Sequence, residues 1–396
     1  MAKDKYISIG QSVSGFSFAN LGLFTGFADG IYNAVYSLVI LEILRSSAVV
    51  GVYVAMYSAF CMGVALFANE LFRRFSKVRV FNIALTGVVV CYAMMAFSVQ
   101  PNTFIALDWT SGIGTTLIGI LIPLFMSDFA TRDVPMARLN SRYYLWVNIG
   151  AFFAPMFAMF LAESFGNRSA FFASAFVYFA CMFFFRYLQI VQEDKIITPV
   201  NPRKTFRSLW RNAAAFFKRA GMLRAYLINF SYYSLTSMRG LYVPIVVIEA
   251  GFNKQTLGYV LTLGIIPYIL LSGFMGRLVK KFGKKLWLML GFGSFALISA
   301  YATFASGYPL LACFVLWQIS GAFMESVHDL LFFDNTTPSE RSRFYGVFRT
   351  SVNLPRIIAP IAGAAAIALF GATTAVWGIC ALVGILATLI VFSTKK

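Results

Sequence analysis

The chain has 396 residues, of which 59% are hydrophobic and only 12% are charged, and its mean hydropathy is +0.75. This composition excludes an ordinary soluble globular protein and indicates many membrane-spanning segments. A net charge of +18 would suggest nucleic-acid binding in a soluble protein, but here the positions of the cations indicate membrane topology instead.

Long apolar stretches predict twelve membrane-spanning segments. We expect each to be a helix, because lipid offers backbone polar groups no partner outside a helix or a closed barrel, and these stretches are too long for barrel strands. The predicted spans are 14–44, 50–71, 79–98, 104–126, 143–162, 169–188, 225–249, 256–276, 285–304, 308–332, 344–370 and 373–393. The fold class is therefore an all-α membrane protein.

The Lys and Arg residues alternate between loops in a way that fixes the predicted topology. With the N-terminus inside, 28 of the 33 cations fall on the inner side. The outer segments hold only Arg45, Arg168 and Lys254, while Arg239 and Arg356 lie within spans. Because cytoplasmic loops carry the excess of cations, we predict an integral protein of the inner or plasma membrane with both termini in the cytoplasm.

The sequence repeats itself with a constant offset. Val147–Pro155 reads VNIGAFFAP, and 205 residues later Val352–Pro360 reads VNLPRIIAP. Offsets of 207 and 206 relate two further pairs, which are Asn69–Val78 with Gly276–Lys285 and Asp128 with Asp334. We therefore predict two homologous halves in the same orientation, 1–190 and 222–396, joined by a cytoplasmic linker over 191–221.

The linker is predicted to contain a basic amphipathic helix over Lys204–Lys218. Its apolar face would comprise Phe206, Leu209, Trp210, Ala213, Phe216 and Phe217. This pattern is typical of a helix that lies on an anionic inner leaflet. A surface helix that joins the two halves is compatible with the same pattern, and we favour it over any regulatory role.

The two basic loops resemble the loop motif of the major facilitator superfamily, Gly-x3-Asp-Arg-x-Gly-Arg-Arg/Lys. One copy has Gly276, Lys280, Lys281, Gly283 and Lys284, and the other has Arg73 and Arg74 in the corresponding central positions. In that family the loop gates the inner face. Lys280 and Arg73 stand where the family has Asp, so a gate contact from that acidic position is not expected here. Gly283 permits the tight turn.

The fifth span resembles the glycine- and proline-containing motif of the family's antiporters. Gly150, Ala154 and Pro155 match in part, and Pro360 is the repeat counterpart of Pro155. Small residues with Pro allow close helix packing and a kink. This resemblance favours export over import.

The resemblance implies two pseudo-symmetric six-helix bundles and secondary active transport by alternating access. We expect proton-coupled efflux of a small solute, with proton-coupled uptake of a small solute, such as an anionic one, as the alternative. A transporter-like membrane sensor is a third hypothesis. The expected partners are the bilayer, the solute and protons. We expect a monomer that binds no nucleic acid, needs no cofactor or metal, and is not an enzyme.

Charged residues within spans are expensive in lipid and are therefore candidate functional groups. Asp29 lies in the middle of span 1 and is a candidate proton carrier or substrate contact; a structural carboxyl is the alternative. Arg239 lies in span 7, within one turn of the repeat counterpart of Asp29, and could bind an anionic group or pair with a carboxylate. By resemblance, both would face the family's central cavity.

Spans 10 and 11 carry further candidates. Glu325, His328 and Asp329 are spaced for one helix face, and Arg349, Asn353 and Arg356 are spaced likewise. One hypothesis is an ion-pair network between these two faces, and the other is a proton relay through Glu325 and His328. His328 is also a candidate polar cap at the helix end.

Two remaining candidates lie in the first half. Asp108, near the outer end of span 4, is expected to be a solvated end residue or an entrance contact, and is retained as a proton-coupling candidate. Asn148, the repeat counterpart of Asn353, is a candidate substrate contact.

Overall fold

The structure is a computed structural model that describes residues 7–8, 15–129, 136–188, 191–192, 211–325 and 327–393. Part of the predicted linker, 193–210, lies outside the described residues, as does the N-terminal part of its predicted helix. The side chain of Arg73 and the surroundings of Gly276, from the predicted gating motif, also lie outside them.

Fifteen helical segments occur in the described part of the chain, and fourteen of them are given labels. They are α1 (Gly15–Leu44), α2 (Ser47–Arg74), α3 (Lys77–Phe97), α4 (Pro101–Phe129), α5 (Met136–Phe165), α6 (Ser169–Tyr187), α7 (Ala220–Glu249), α8 (Lys254–Phe282), α9 (Lys284–Ala302), α10 (Gly307–Glu325), α11 (Leu330–Asp334), α12 (Pro338–Asn353), α13 (Pro355–Phe370) and α14 (Ala375–Phe392). Residues 211–217 are also helical. Two short strands, β1 (Ile7–Ser8) and β2 (Val191–Gln192), pair antiparallel.

Eleven helical stretches among the described residues are long and apolar enough to cross a membrane. The helix α7, with 30 residues, is the twelfth of comparable length but is more polar, with Arg224, Arg239 and Glu249 along it. The predicted all-α membrane fold is thus confirmed, and the twelve predicted spans correspond to these eleven stretches and α7. The observed bounds differ from the predicted ones mostly by a few residues.

Two predicted spans are interrupted. Span 11 is divided into α12 and α13 because Pro355 has no backbone N–H to continue the hydrogen-bond ladder. Span 10 is divided into α10 and α11 by a turn at residues 327–329. The interpretation of Glu325, His328 and Asp329 as one continuous helix face was therefore wrong, because that face requires an unbroken helix.

The chain forms two compact units. The first contains 1–39, 59–198 and 254–262, and the second contains 40–58, 199–253 and 263–396. The start of α2 therefore belongs to the second unit, where Gly51 packs against Tyr242 and Pro360. The start of α8 belongs to the first unit, where Gly258 packs against Met159. Gly51 and Gly258 are 207 residues apart, so the two exchanged segments are related by the sequence repeat.

Glycines bring α1 and α5 into close contact in the first unit. A Cβ atom added to Gly26 would lie 2.7 Å from the Cα of Val147, and one added to Gly150 would lie 2.7 Å from the backbone nitrogen of Phe27. A Cβ atom added to Gly30 would lie 2.5 Å from the Cβ of Ala154. This row of small residues sets the position of α1 and, with it, of Asp29.

The described part of the linker docks on protein rather than on the membrane surface alone. Phe216, predicted to face lipid, is fully buried in a cluster with Tyr226, Phe344 and Phe348. Arg219 follows it, donates a hydrogen bond to Glu340 over 2.7 Å, and lies 5.2 Å from the ring centroid of Phe344. The expectation of a lipid-facing apolar surface was thus wrong at Phe216, because α7 and α12 offer it a closer apolar partner.

Candidate transport site

Asp29 lies in the middle of α1 and has a tyrosine as its hydrogen-bond partner. The hydroxyl of Tyr178, on α6, donates to the Asp29 carboxylate. The neighbouring Ser174 hydroxyl donates to the backbone oxygen of Ala28 over 2.9 Å, which fixes α6 beside this turn of α1. In the described part of the chain no Lys or Arg forms an ion pair with Asp29. Its carboxyl can therefore exchange a proton without breaking an ion pair.

Asp108 differs from the sequence-based expectation of a solvated end residue. Its side chain has 0% exposure. The hydroxyls of Tyr32 and Tyr36, both on α1, donate to its two carboxylate oxygens over 2.6 and 3.2 Å. The expectation was wrong because these two hydroxyls replace water as hydrogen-bond donors and allow a carboxylate to be buried. Asp108 therefore joins α4 to α1.

Arg239 is held by two neutral side chains in the second unit. Its Nη1 donates to the Tyr268 hydroxyl on α8 over 3.0 Å and to Oε1 of Gln318 on α10. Its guanidinium carbon also lies 5.8 Å from the centroid of the Tyr268 ring. Among the described residues no carboxylate forms an ion pair with it. Permanent pairing with a carboxylate, the alternative raised by the sequence, is not seen here.

Two glycines make room for the partners of Arg239. A Cβ atom at Gly264 would lie 2.6 Å from Nε2 of Gln318, and one at Gly321 would overlap the Tyr268 hydroxyl. Any side chain at either position would displace a group that Arg239 bonds to. The guanidinium is therefore positioned by packing on three helices, which suits a group that must present a fixed charge.

The turn between α10 and α11 buries the single histidine. His328 is 2% exposed, and its ring stacks on Tyr232 with centroids 4.2 Å apart and on the edge of Tyr233 at 5.5 Å. Its Nδ1 lies 3.3 Å from a carboxylate oxygen of Asp329. Glu325, at the end of α10, is exposed. His328 is therefore not a solvated polar cap.

The remaining substrate-contact candidates are more dispersed. Asn353 ends α12 and is half-buried, whereas Arg356 lies in the first turn of α13 and is exposed. Asn148, on α5, is half-buried. No group of three or more His, Cys, Asp or Glu side chains in the described ranges is placed to hold a metal ion.

The basic loops are each tied to an acidic residue of the same unit. Lys77 pairs with Asp128 over 2.6 Å, and Lys284 pairs with Asp334 over 2.5 Å. Gly283 precedes α9 with φ 81°, a conformation that disfavours other residues. Lys280, Lys281 and Arg74 are exposed. An acidic partner for the loop is thus supplied from a later helix of the same unit, by Asp128 at the end of α4 and Asp334 at the end of α11, rather than by the family's Asp position.

Sequence reasoning missed three site residues, Tyr178, Tyr268 and Gln318. Each is one polar residue in a long apolar span, and each contacts a charge 29 to 149 residues away. Gln318 carried the clearest sequence clue, since an amide within a span needs a partner. The tyrosines carried none, because the chain has 19 of them.

The family assignment follows from the sequence and the fold together. The model of the Major Facilitator Superfamily matches residues 18–246 and 225–396. The chain belongs to the Major Facilitator Superfamily. As a member it is a transporter and an integral membrane protein.

Solved structures of superfamily transporters have the same fold. A mutant of the nucleoside transporter NupG aligns with a TM-score of 0.70 at 14% identity, covering 96% of this chain and 100% of that one. A POT family transporter in complex with a thioalcohol-conjugated peptide aligns with a TM-score of 0.75 at 11% identity, covering 94% and 95%. At these identities the similarity concerns the fold alone. No curated protein matches the sequence.

Proposed function

We propose that this superfamily member exports a small solute in exchange for protons, with Asp29 as the proton-carrying group. The observation that carries the proposal is the Asp29 carboxylate, which lies within a membrane span and is bonded to the Tyr178 hydroxyl without an ion-pair partner among the described residues. A charge in lipid is expensive, so a carboxyl kept there without a cation is suited to reversible protonation. The partial match of Gly150 and Pro155 to the antiporter motif supports the direction.

Coupling is tested by Asp29→Asn in proteoliposomes. We expect the variant to lose uphill transport driven by a pH gradient while it keeps exchange of labelled for unlabelled solute. Glu42→Gln, on the same helix near its end, is the matched control and should keep both activities. Accumulation at the wild-type level in Asp29→Asn would refute the coupling role. The sign of the pH gradient that drives accumulation decides between efflux and uptake.

The solute must first be found. Thermal stabilisation of the purified chain at pH 5.5 and 7.5 against sugars, carboxylates, phosphates, nucleosides, peptides and lipophilic cations provides the screen. Nucleosides and peptides are included because a nucleoside transporter and a peptide-bound POT family transporter share this fold. A pH-dependent hit is expected if proton and solute sites interact.

The second candidate function is proton-coupled uptake of an anionic solute. It is supported by Arg239, whose guanidinium is bound by Tyr268 and Gln318 and by no carboxylate among the described residues. Guanidinium groups bind carboxylates and phosphates through two parallel hydrogen bonds. Glu325 acts on this guanidinium electrostatically without forming an ion pair, so an anionic solute would supply the carboxylate or phosphate in direct contact with it.

Two variants test this candidate. Arg239→Gln should weaken binding of an anionic solute and leave a neutral one unaffected. Gln318→Glu preserves the size of the side chain but places a permanent carboxylate beside Arg239, so it should also weaken binding of the anionic solute. Equal losses for charged and neutral solutes in both variants would assign Arg239 a structural role.

The other predicted elements complete the proposal. Glu325 and His328 are second-half candidates for proton transfer, and Asn148, Asn353 and Arg356 for solute contact. We propose that the protein works as a monomer in the inner or plasma membrane. The 28 cations on the predicted inner side support an orientation with both termini in the cytoplasm.

A further inference from the structure

The second unit contains a cavity of about 920 Å³ at its cation-rich end. It lies between the start of α7, the junction of α8 with α9, and the short helix α11. Among the described lining residues three are cationic, Arg224, Lys284 and Lys285, and one is acidic, Asp334. The cavity thus carries an excess of positive charge.

The cations of this cavity have different partners. Lys284 is paired with Asp334 over 2.5 Å, and Lys285 donates to the backbone oxygen of Phe392 over 2.7 Å. Arg224 is half-buried and, among the described residues, forms no ion pair. Its guanidinium is therefore available to a bound anion.

The remaining walls are largely apolar. Phe282 and Leu286 line the cavity and are 50% and 42% exposed, and Leu288 and Met289 continue this surface along α9. A ligand that fits must combine a negative head with an apolar body. The first turns of α7 and α9 both contribute to the lining, and their amide groups add to the same positive potential.

We propose that this cavity binds an anionic phospholipid of the leaflet at the cation-rich end. The phosphate lies between Arg224 and Lys284, and the glycerol and upper acyl chain lie along Phe282 and Leu286. Basic pockets between transmembrane helices bind such head groups. Because Lys284 already pairs with Asp334, the phosphate competes with that carboxylate, and the lipid thereby acts on the loop before α9.

The test is native mass spectrometry of the full chain in detergent with dioleoyl phosphatidylglycerol. Arg224→Gln should weaken the one-to-one adduct about tenfold, as expected for the loss of a charged hydrogen bond. Asp334→Asn removes the competing carboxylate and should strengthen the adduct severalfold. Arg277→Gln, which removes a nearby cation outside the cavity, is the matched control and should leave the adduct unchanged.

The two substitutions change affinity in opposite directions, so a general loss of folding cannot imitate the expected pattern. Met289→Trp, which narrows the cavity and keeps every cation, should also weaken the adduct. Equal binding of dioleoyl phosphatidylcholine would overturn the proposal, because the net charge would then not be recognised. Equally tight binding of glycerol 3-phosphate would mean that the ligand of this cavity is a soluble phosphate and not a lipid. Equal losses of lipid affinity in Arg224→Gln and Arg277→Gln would show that the overall charge of the protein, and not this cavity, determines binding.

Discussion

Lys77, the first residue of α3, donates a hydrogen bond to Asp128 in the last turn of α4 over 2.6 Å. The second unit contains the same arrangement, since Lys284 begins α9 and binds Asp334 at the end of α11. The two lysines are 207 residues apart and the two aspartates 206. Because the same pair occurs in both repeats, we infer that this contact is a structural feature of each six-helix half and not a coincidence at one position.

The Lys77–Asp128 pair should be recoverable by charge exchange. Lys77→Glu places two acids together and should lower transport and stability, and adding Asp128→Lys should restore most of both. The pair is partly exposed, so the coupling energy is expected to be about 0.2–1 kcal/mol. A double-mutant cycle on thermal unfolding measures it. A double variant no better than Lys77→Glu alone would show that the two charges do not act together.

Close packing of α1 on α5 predicts a sharp contrast between two glycines. Gly26→Ala forces a methyl group against the backbone of Val147 and should cost about 1–3 kcal/mol of stability. Gly87→Ala, on α3, meets open space and should cost nothing, because Ala favours helix more than Gly does. Melting temperatures of the two variants in one detergent give the comparison. A similar loss in both would mean that the close approach is not required.

The ion pair beside the docked linker predicts a pH dependence. The hydrogen bond from Arg219, aided by the backbone N–H of Thr337, lowers the pKa of Glu340 from 4.5 to about 2. The folded state therefore favours the charged carboxylate, and this stabilisation is complete above about pH 4.5 and is lost as the pH falls towards 2. The melting-temperature difference between wild type and Glu340→Gln should shrink between pH 5 and pH 2.5. A constant difference would exclude this carboxyl as the source.

The Tyr178 hydroxyl should affect the rate of coupled transport without being essential for it. Tyr178→Phe removes the hydrogen bond that orients the Asp29 carboxylate but leaves the carboxyl in place. We expect pH-driven accumulation to persist with a rate reduced severalfold, in contrast to its loss in Asp29→Asn. Tyr187→Phe, at the exposed end of α6, is a suitable control. Complete loss of coupling in Tyr178→Phe would give the tyrosine a direct part in proton transfer.

The membrane explains which features of this fold could be predicted from sequence. Lipid requires long apolar helices, so the long apolar stretches of the sequence predict the spans, and the repeat offset predicts which residues are equivalent. The break at residues 327–329 could not be predicted, since the stretch Val327–Asp329 contains neither Gly nor Pro. Burial of Asp108 depends on Tyr32 and Tyr36, which lie more than 70 residues away, and no local pattern encodes that contact.

The charged residues of the candidate site could be predicted from sequence, but their hydrogen-bond partners could not. Asp29 and Arg239 stand out in sequence because charges are rare within spans, and their rarity alone identified them. Their partners are ordinary polar residues whose importance arises only when separate helices are packed together. Gly264 and Gly321 illustrate this, since their role is to leave space for Gln318 and Tyr268.

The exchange of residues 40–58 and 254–262 has a consequence for the way the chain is built. Each unit is completed by a piece of the opposite repeat, as in a domain-swapped dimer whose two subunits have been fused into one polypeptide. A chain cut within the linker should therefore yield fragments that are incomplete alone and assemble when made together.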